Sequence, residues 1–119
     1  MTNARIENGA LALPYPPSEL SPNARVGWRE KARYVKEYRW ACNILCREWR
    51  PRGEPVNVLS IVFVVKDNRR RDLDNLISSF KFGMDGLRDA GLISDDNWQD
   101  LTVSYSVEIG QPGVKVSVL

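Results

Sequence analysis

Residues 56–65, VNVLSIVFVV, restrict the possible folds more than any other part of this 119-residue chain. Valine and isoleucine dominate, and their β-branched side chains suit a pleated backbone. Beyond Val58 the run is apolar at nearly every position, which predicts a central strand covered on two sides. A bilayer crossing needs roughly 20 apolar residues, so the stretch Val58 to Val65 is no membrane span.

The flanking sequence must supply the covering layer and the neighbouring strands. From about Val26 to Arg50, Tyr34, Tyr38, Ala41, Leu45 and Trp49 recur at helical spacing and form one apolar stripe; Pro51, Gly53 and Pro55 end the pattern. After the central run, Leu73, Leu76, Ile77, Phe80, Met84 and Leu87 repeat at 3-4 spacing, predicting a second helix that ends at Gly91. Leu101 to Ile109 alternates apolar with polar, as a half-buried strand does. Gln111-Pro112-Gly113 then supplies turn chemistry before a closing strand with Val114, Val116 and Val118. Near the start, LAL reads as a short strand, after which Pro14, Pro16 and Pro17 enforce extended backbone. The expected order is β-α-β-α-β-β. This is an α+β fold in a single domain over 1–119, with helices packed on a mixed sheet.

Several chemistries are excluded by count. Cys42 and Cys46 are the only cysteines and histidine is absent, so neither a disulfide framework nor a Ser-His-Asp or Cys-His mechanism is open to the chain. Their spacing, one helical turn, fits two small buried residues. Residues 1–9 are polar and carry no basic-then-apolar leader, from which a soluble protein of the cytoplasm is expected, with no membrane partner.

The formal charge of +2 hides an asymmetry. Residues 25–71 carry 13 Lys/Arg against 5 Asp/Glu, whereas residues 72–100 carry 7 Asp against 2 Lys/Arg. A basic first part suits a polyanion, and a dense acidic cluster beside it would repel that partner unless a divalent cation neutralised it.

The acids concentrate in RRRDLDNLISSFKFGMDGLRDAGLISDD, residues 69–96. Asp72 and Asp74 project to one side if the chain stays extended through Asp74 and turns helical at about Asn75. Two hard oxygen donors so placed suit Mg²⁺, with Mn²⁺ as a substitute. Helix capping by either Asp is the competing account. Lys81 follows Asp74 by seven residues, which on one continuous helix returns it to within about 20° of the same face, where it can contact a phosphate. Arg69, Arg70 and Arg71 can hold phosphates beside the acids, with loop solubility the alternative. Trp28, Trp40 and Trp98 invite base stacking, although core or interface packing is the commoner role.

Taken together, LPYPPSELSPN near the amino terminus, RRRDLDNL, a lysine, MDGLRDAG and ISDD resemble the RusA family of Holliday junction resolvases, often encoded by phages and prophages. The resemblance runs nearly end to end. It implies a small homodimeric endonuclease that cuts four-way junction DNA with Mg²⁺ or Mn²⁺. The family's three essential acids would fall on Asp72, Asp74 and Asp96, with Asp95 as an alternative ligand or a supporting group, and its active-site lysine on Lys81. In the family pattern the lysine follows the second Asp by four residues, a position held here by Ser78, so the sequence reads as carrying a three-residue insertion between Asn75 and Lys81.

Two rivals belong to other classes. One is a non-catalytic module that binds branched DNA, its acids serving only to cap and solvate; the other is a metal nuclease acting on other branched DNA. An aspartyl phosphatase is disfavoured, because arginines rather than apolar residues precede Asp72.

Overall fold

The computed structural model describes residues 5–7, 9–51, 53–95, 97 and 99–118, with side chains from residue 9 onward. Five strands, β1 (Arg5–Glu7), β2 (Ala10–Leu13), β3 (Val58–Val65), β4 (Thr102–Ile109) and β5 (Gly113–Val118), form one sheet in the order β1-β2-β5-β3-β4. Pairing is antiparallel except for β3 with β4, which run parallel. The helices are α1 (Trp28–Trp49), α2 (Leu73–Ser79) and α3 (Lys81–Asp89), and a single 3-10 turn covers Ser18–Leu20. The α+β class and the mixed sheet agree with the sequence.

The apolar run occupies the centre of the sheet, as its composition requires. Leu59, Ile61 and Phe63 are fully buried and join Leu11, Leu13, Val114 and Val116 under Tyr38, Cys42 and Cys46 of α1 and Met84 and Leu87 of α3. The expected cover on two sides is corrected here, because both long helices pack on this one face. On the reverse face β3 turns half-buried Val58, Ser60 and Val62 outward among Thr102, Ser104 and Ser106 of β4 and Ser117 of β5. Those polar neighbours make a face that water can solvate, and the flanking strands alone shield the valines.

Two further differences have local causes. β1 was not foreseen; Glu7 pairs with Ala10 across the Asn8-Gly9 connection, and Gly9 holds φ +83°. Asn-Gly between paired strands is a strong hairpin signal. The second helix is interrupted at Phe80, whose amide is shared between the carbonyls of Leu76 (3.1 Å) and Ile77 (3.2 Å). The Phe80 ring is fully buried, edge-on to Phe63 and Tyr38. A Cβ at Gly83 would collide with that ring, so the glycine leaves it room. Gly86 serves the neighbouring layer: a Cβ there would lie 2.5 Å from the Arg39 carbonyl oxygen and 2.9 Å from the Cys42 Cβ. The two helices therefore meet backbone to backbone at this point.

α3 ends as its sequence predicts. Gly91 takes φ +83°, its amide donates to the Arg88 carbonyl, and the Leu92 amide reaches back to that of Leu87. This pair of bonds, with Leu87 and Leu92 both buried, is a Schellman stop. The guanidinium of Arg39 spans α1 and α3, donating from Nε and Nη2 to the two Asp89 oxygens at 2.6 and 2.8 Å. That bond holds the Asp89 carboxyl below the usual carboxylate range.

Candidate functional site

The acid-bearing segment begins where β3 ends. Asp67 accepts the Arg69 amide at 3.0 Å and Arg71 Nη2 at 2.9 Å, while Arg71 Nη1 donates to the carbonyls of Asp67 and Arg69. These bonds hold the Asp67 carboxyl below its ordinary value, the Arg69 amide contributing most. They also fold residues 67–71 into a tight turn that delivers Asp72 to the start of α2. Arg71 is thus occupied by its own loop, whereas the exposed side chains of Arg69 and Arg70 make no hydrogen bond or ion pair among the described residues, although the Arg69 charge acts on Asp67.

The helix starts where the apolar periodicity does. Leu73, not Asn75, is its first residue, and Asp72 precedes it with extended backbone (φ −80°, ψ 125°). Extended chain through Asp74 is therefore corrected: Asp72 lies just outside the helix and Asp74 in its first turn. The cause is the 67–71 turn, which uses the polar residues earlier and lets the backbone bond of Leu76 to the Asp72 carbonyl form. Asp72 occupies the cap position of α2, as the capping account expects, but its side chain makes no cap hydrogen bond. Both carboxylates are exposed and without hydrogen-bond or ion-pair partners among the described residues.

Asp72 opens onto a cleft of about 470 Å³ whose other wall is the proline-rich segment. Tyr15, Pro16, Pro17 and Ser18 face Arg70, Asp72, Asn75 and Ser79 across it. The wall is held from behind: Pro16 and Leu20 are buried, and the Tyr38 hydroxyl donates to the Pro14 carbonyl at 2.7 Å. Sequence reasoning noted this segment and gave it no role. Its signal was a rigid Pro-Tyr-Pro-Pro stretch followed by small hydroxyl residues, which suits a fixed wall carrying hydrogen-bonding groups.

Asp74 and the exposed Lys81 do not line this cleft. Because the helix is interrupted at Phe80, the continuous helical face expected to align Lys81 with Asp74 is also corrected. Of the DD pair, Asp95 stands 3.9 Å from Arg88, which also meets Asp85 at 3.5 Å, and it accepts the Asn97 side-chain amide at 3.2 Å. Arg88 thereby ties the 92–95 loop to α3, a link the sequence did not reveal. Asp96 and Trp98 lie outside the described residues. Among the described residues no three carboxylates or thiols converge on a metal-sized site. The donor chemistry of Asp72 and Asp74, two unengaged carboxylates, nevertheless fits a hard divalent ion completed by a further acid.

Trp28 and Trp40, for which core or interface packing was expected, are 76% and 63% exposed and stand outside the core. Cys42 and Cys46 are buried as expected, and burial pushes their thiols up to about 12 and about 11. No helix among the described residues is long and apolar enough to cross a membrane.

No family model matches the chain. Over 91 residues it is 36% identical to an uncharacterized protein of Xylella fastidiosa strain Temecula1, an alignment covering 72% of this chain and 60% of that protein. The chain thus spans about three-fifths of the length of that relative.

Proposed function

We propose that the chain is a metal-dependent endonuclease that resolves four-way DNA junctions, as its resemblance to the RusA family implies. One observation carries the reading most directly. Two stretches of that resemblance, the proline-rich segment and RRRDLDN, face each other across one cleft, with an unengaged Asp72 carboxylate at its edge.

Asp72 and Asp74, with Asp96 as the third acid, are assigned to hold Mg²⁺ or Mn²⁺. When bound, such an ion supplies the Lewis acidity that phosphodiester hydrolysis needs in a chain without histidine. Arg70, exposed on the cleft wall, binds a phosphate next to the acids, and Arg69 adds positive charge at its rim. Arg71 acts indirectly, by fixing the turn that aims Asp72. Lys81 offsets charge on the phosphate from the start of α3, and Asp95 supports the acidic loop through Arg88 and Asn97. The proline wall has little freedom to lose when substrate binds, which favours positioning of the scissile strand. A junction has approximate two-fold symmetry and needs two cuts, which a homodimer of C2 symmetry matches. The cytoplasm, where such DNA is found in a bacterial cell, is the proposed location.

The test is cleavage of a synthetic four-way junction with Mg²⁺, beside EDTA and Asp72→Asn controls, with three-way and linear substrates in parallel. Paired symmetric nicks confined to the four-way junction, and absent from both controls, are expected. Binding without nicks would turn the reading into a DNA-binding module, and equal cutting of three-way DNA would widen it to branched DNA at large.

A further inference from the structure

On α1 the side away from buried Tyr38, Cys42 and Cys46 carries Arg29, Arg33, Lys36 and Trp40. At 100° per residue these four lie within about 60° of one another, and they extend about 17 Å along the helix. All four are exposed, Trp40 by 63%. None of the three cations has a carboxylate partner among the described residues; Glu37, one turn beyond Arg33, forms no ion pair with it. Arg29 sits 5.1 Å from the ring of Trp28 and Arg33 5.2 Å from that of Tyr34, contacts to ring faces that leave guanidinium donors available.

A merely solvated face would not be built this way. Arg29 and Arg33 are one turn apart, as are Arg33 and Lys36, and each like-charged pair weakens the helix. Acids at those spacings would have stabilised it. Trp28 and Trp40 also keep large apolar rings in water beside the cations. Unpaired cations spaced along a rigid rod, with a planar ring at its end, complement a regular polyanion. A rod of this length covers the axial rise of about five base-pair steps of duplex DNA.

We infer that this outer stripe of α1 binds the phosphate backbone of a DNA arm, as a contact surface separate from the acid-lined cleft. The inference rests on the nucleic-acid substrate proposed above. It adds an anchor that reads neither sequence nor branch point, because phosphate contacts position a protein without discriminating bases. Trp40 packs against the sugar-phosphate edge one turn beyond the site of Lys36.

The experiment measures binding of a labelled duplex and a labelled four-way junction by the full chain in EDTA over a series of salt concentrations. Arg33→Glu/Lys36→Glu is expected to weaken binding about 100-fold at 0.1 M salt for both DNAs, and to make the slope of log K against log salt shallower by about 2. Because a double charge reversal can disturb the helix, Trp40→Phe supplies a second readout: saturating duplex should change wild-type tryptophan emission more than that of the variant. Unchanged affinity and slope, or identical emission changes, would overturn the inference. So would binding to vesicles rich in anionic lipid with none to DNA. If the wild type nicks junctions while Arg33→Glu/Lys36→Glu binds normally, the stripe is wrong and the nuclease reading stands. If binding falls as expected but wild type and Asp72→Asn both fail to cut, the stripe stands and the nuclease reading falls.

Discussion

The hydroxyl of Tyr38 donates to the carbonyl oxygen of Pro14 across 2.7 Å, fastening the middle of α1 to the wall of the cleft. Tyr38 is buried, and burial raises its phenol well above the usual value, so the proton stays in place for donation at any ordinary pH. Tyr38→Phe keeps the ring and leaves the carbonyl without this donor. A loss of about 1–2 kcal/mol is expected by urea denaturation. Junction cutting should fall with it if the wall positions substrate.

Gly86→Ala tests the helix contact. An alanine Cβ would press on the carbonyl of Arg39, which is backbone and cannot swing aside. The gain of up to about 1 kcal/mol in helix propensity is outweighed by separating α1 from α3, and a net loss of about 1–3 kcal/mol is expected. Equal or greater stability in the same denaturation assay would contradict that close approach.

The thiols make a prediction in pH. Burial raises Cys42 to about 12 and Cys46 to about 11, above an unfolded value of about 8.5. Below that unfolded value both states are protonated and the stability contribution is complete. It is lost as pH rises from about 8.5 through the folded values, since the unfolded chain releases these protons first. Alkaline unfolding should therefore steepen above about pH 9. At pH 8 a thiol reagent should modify neither cysteine faster than the chain opens; rapid modification of the folded protein would refute their burial.

Acid acts through a different pair. The Arg39 bond lowers Asp89, so its contribution is present above the unfolded carboxylate value of about 3.9 and is lost as pH falls through the folded value. Arg39 and Asp89 remain 40% and 30% exposed, and solvent screening limits the pair to about 1 kcal/mol or less. A double-mutant cycle with Arg39→Gln and Asp89→Asn should give a coupling of that size, shrinking toward pH 3.

Asp72→Asn and Asp74→Asn should separate catalysis from folding. The carboxylates are exposed and unengaged, so each variant should unfold within about 0.5 kcal/mol of wild type. Cleavage should drop by at least about 100-fold with binding retained or tightened, because a charge that repels phosphate is gone. A variant that cuts normally would remove that acid from the site.

Much of this architecture could be read beforehand, for reasons particular residues make clear. Patterns set by burial were legible: Tyr38 and its neighbours on α1, Leu76, Met84 and Leu87 on the next helices, and Gly91 at the stop all lie where periodicity put them. Side-chain competition for backbone was not. Arg71 and Asp67 close a turn through four hydrogen bonds, and no spacing rule indicated that this turn would set Asp72 apart from Asp74. Phe80 counted as one more apolar position, yet its ring fills the junction of three elements and interrupts the helix. The exposure of Trp28 and Trp40 follows from their place on the helical wheel, a stronger signal here than the general tendency of tryptophan to be covered. The acids were legible as a group, whereas the wall opposite Asp72 depended on a contact between residues more than fifty positions apart.

The position of β5 ties the first strands of the sheet to one that follows every helix. It is the one strand that joins the β1-β2 hairpin to the central β3. A ribosome must therefore release residues 113–118 before the first strands can enter the sheet they belong to. Until then β2, which leads into the proline wall, lacks the strand that sets it in the sheet, and the wall keeps its Tyr38 bond without that frame. Maturation of the site is thus tied to the emergence of β5, and a protein interrupted at Pro112 would carry Asp72, Asp74, Asp95 and Asp96 without the frame that presents them.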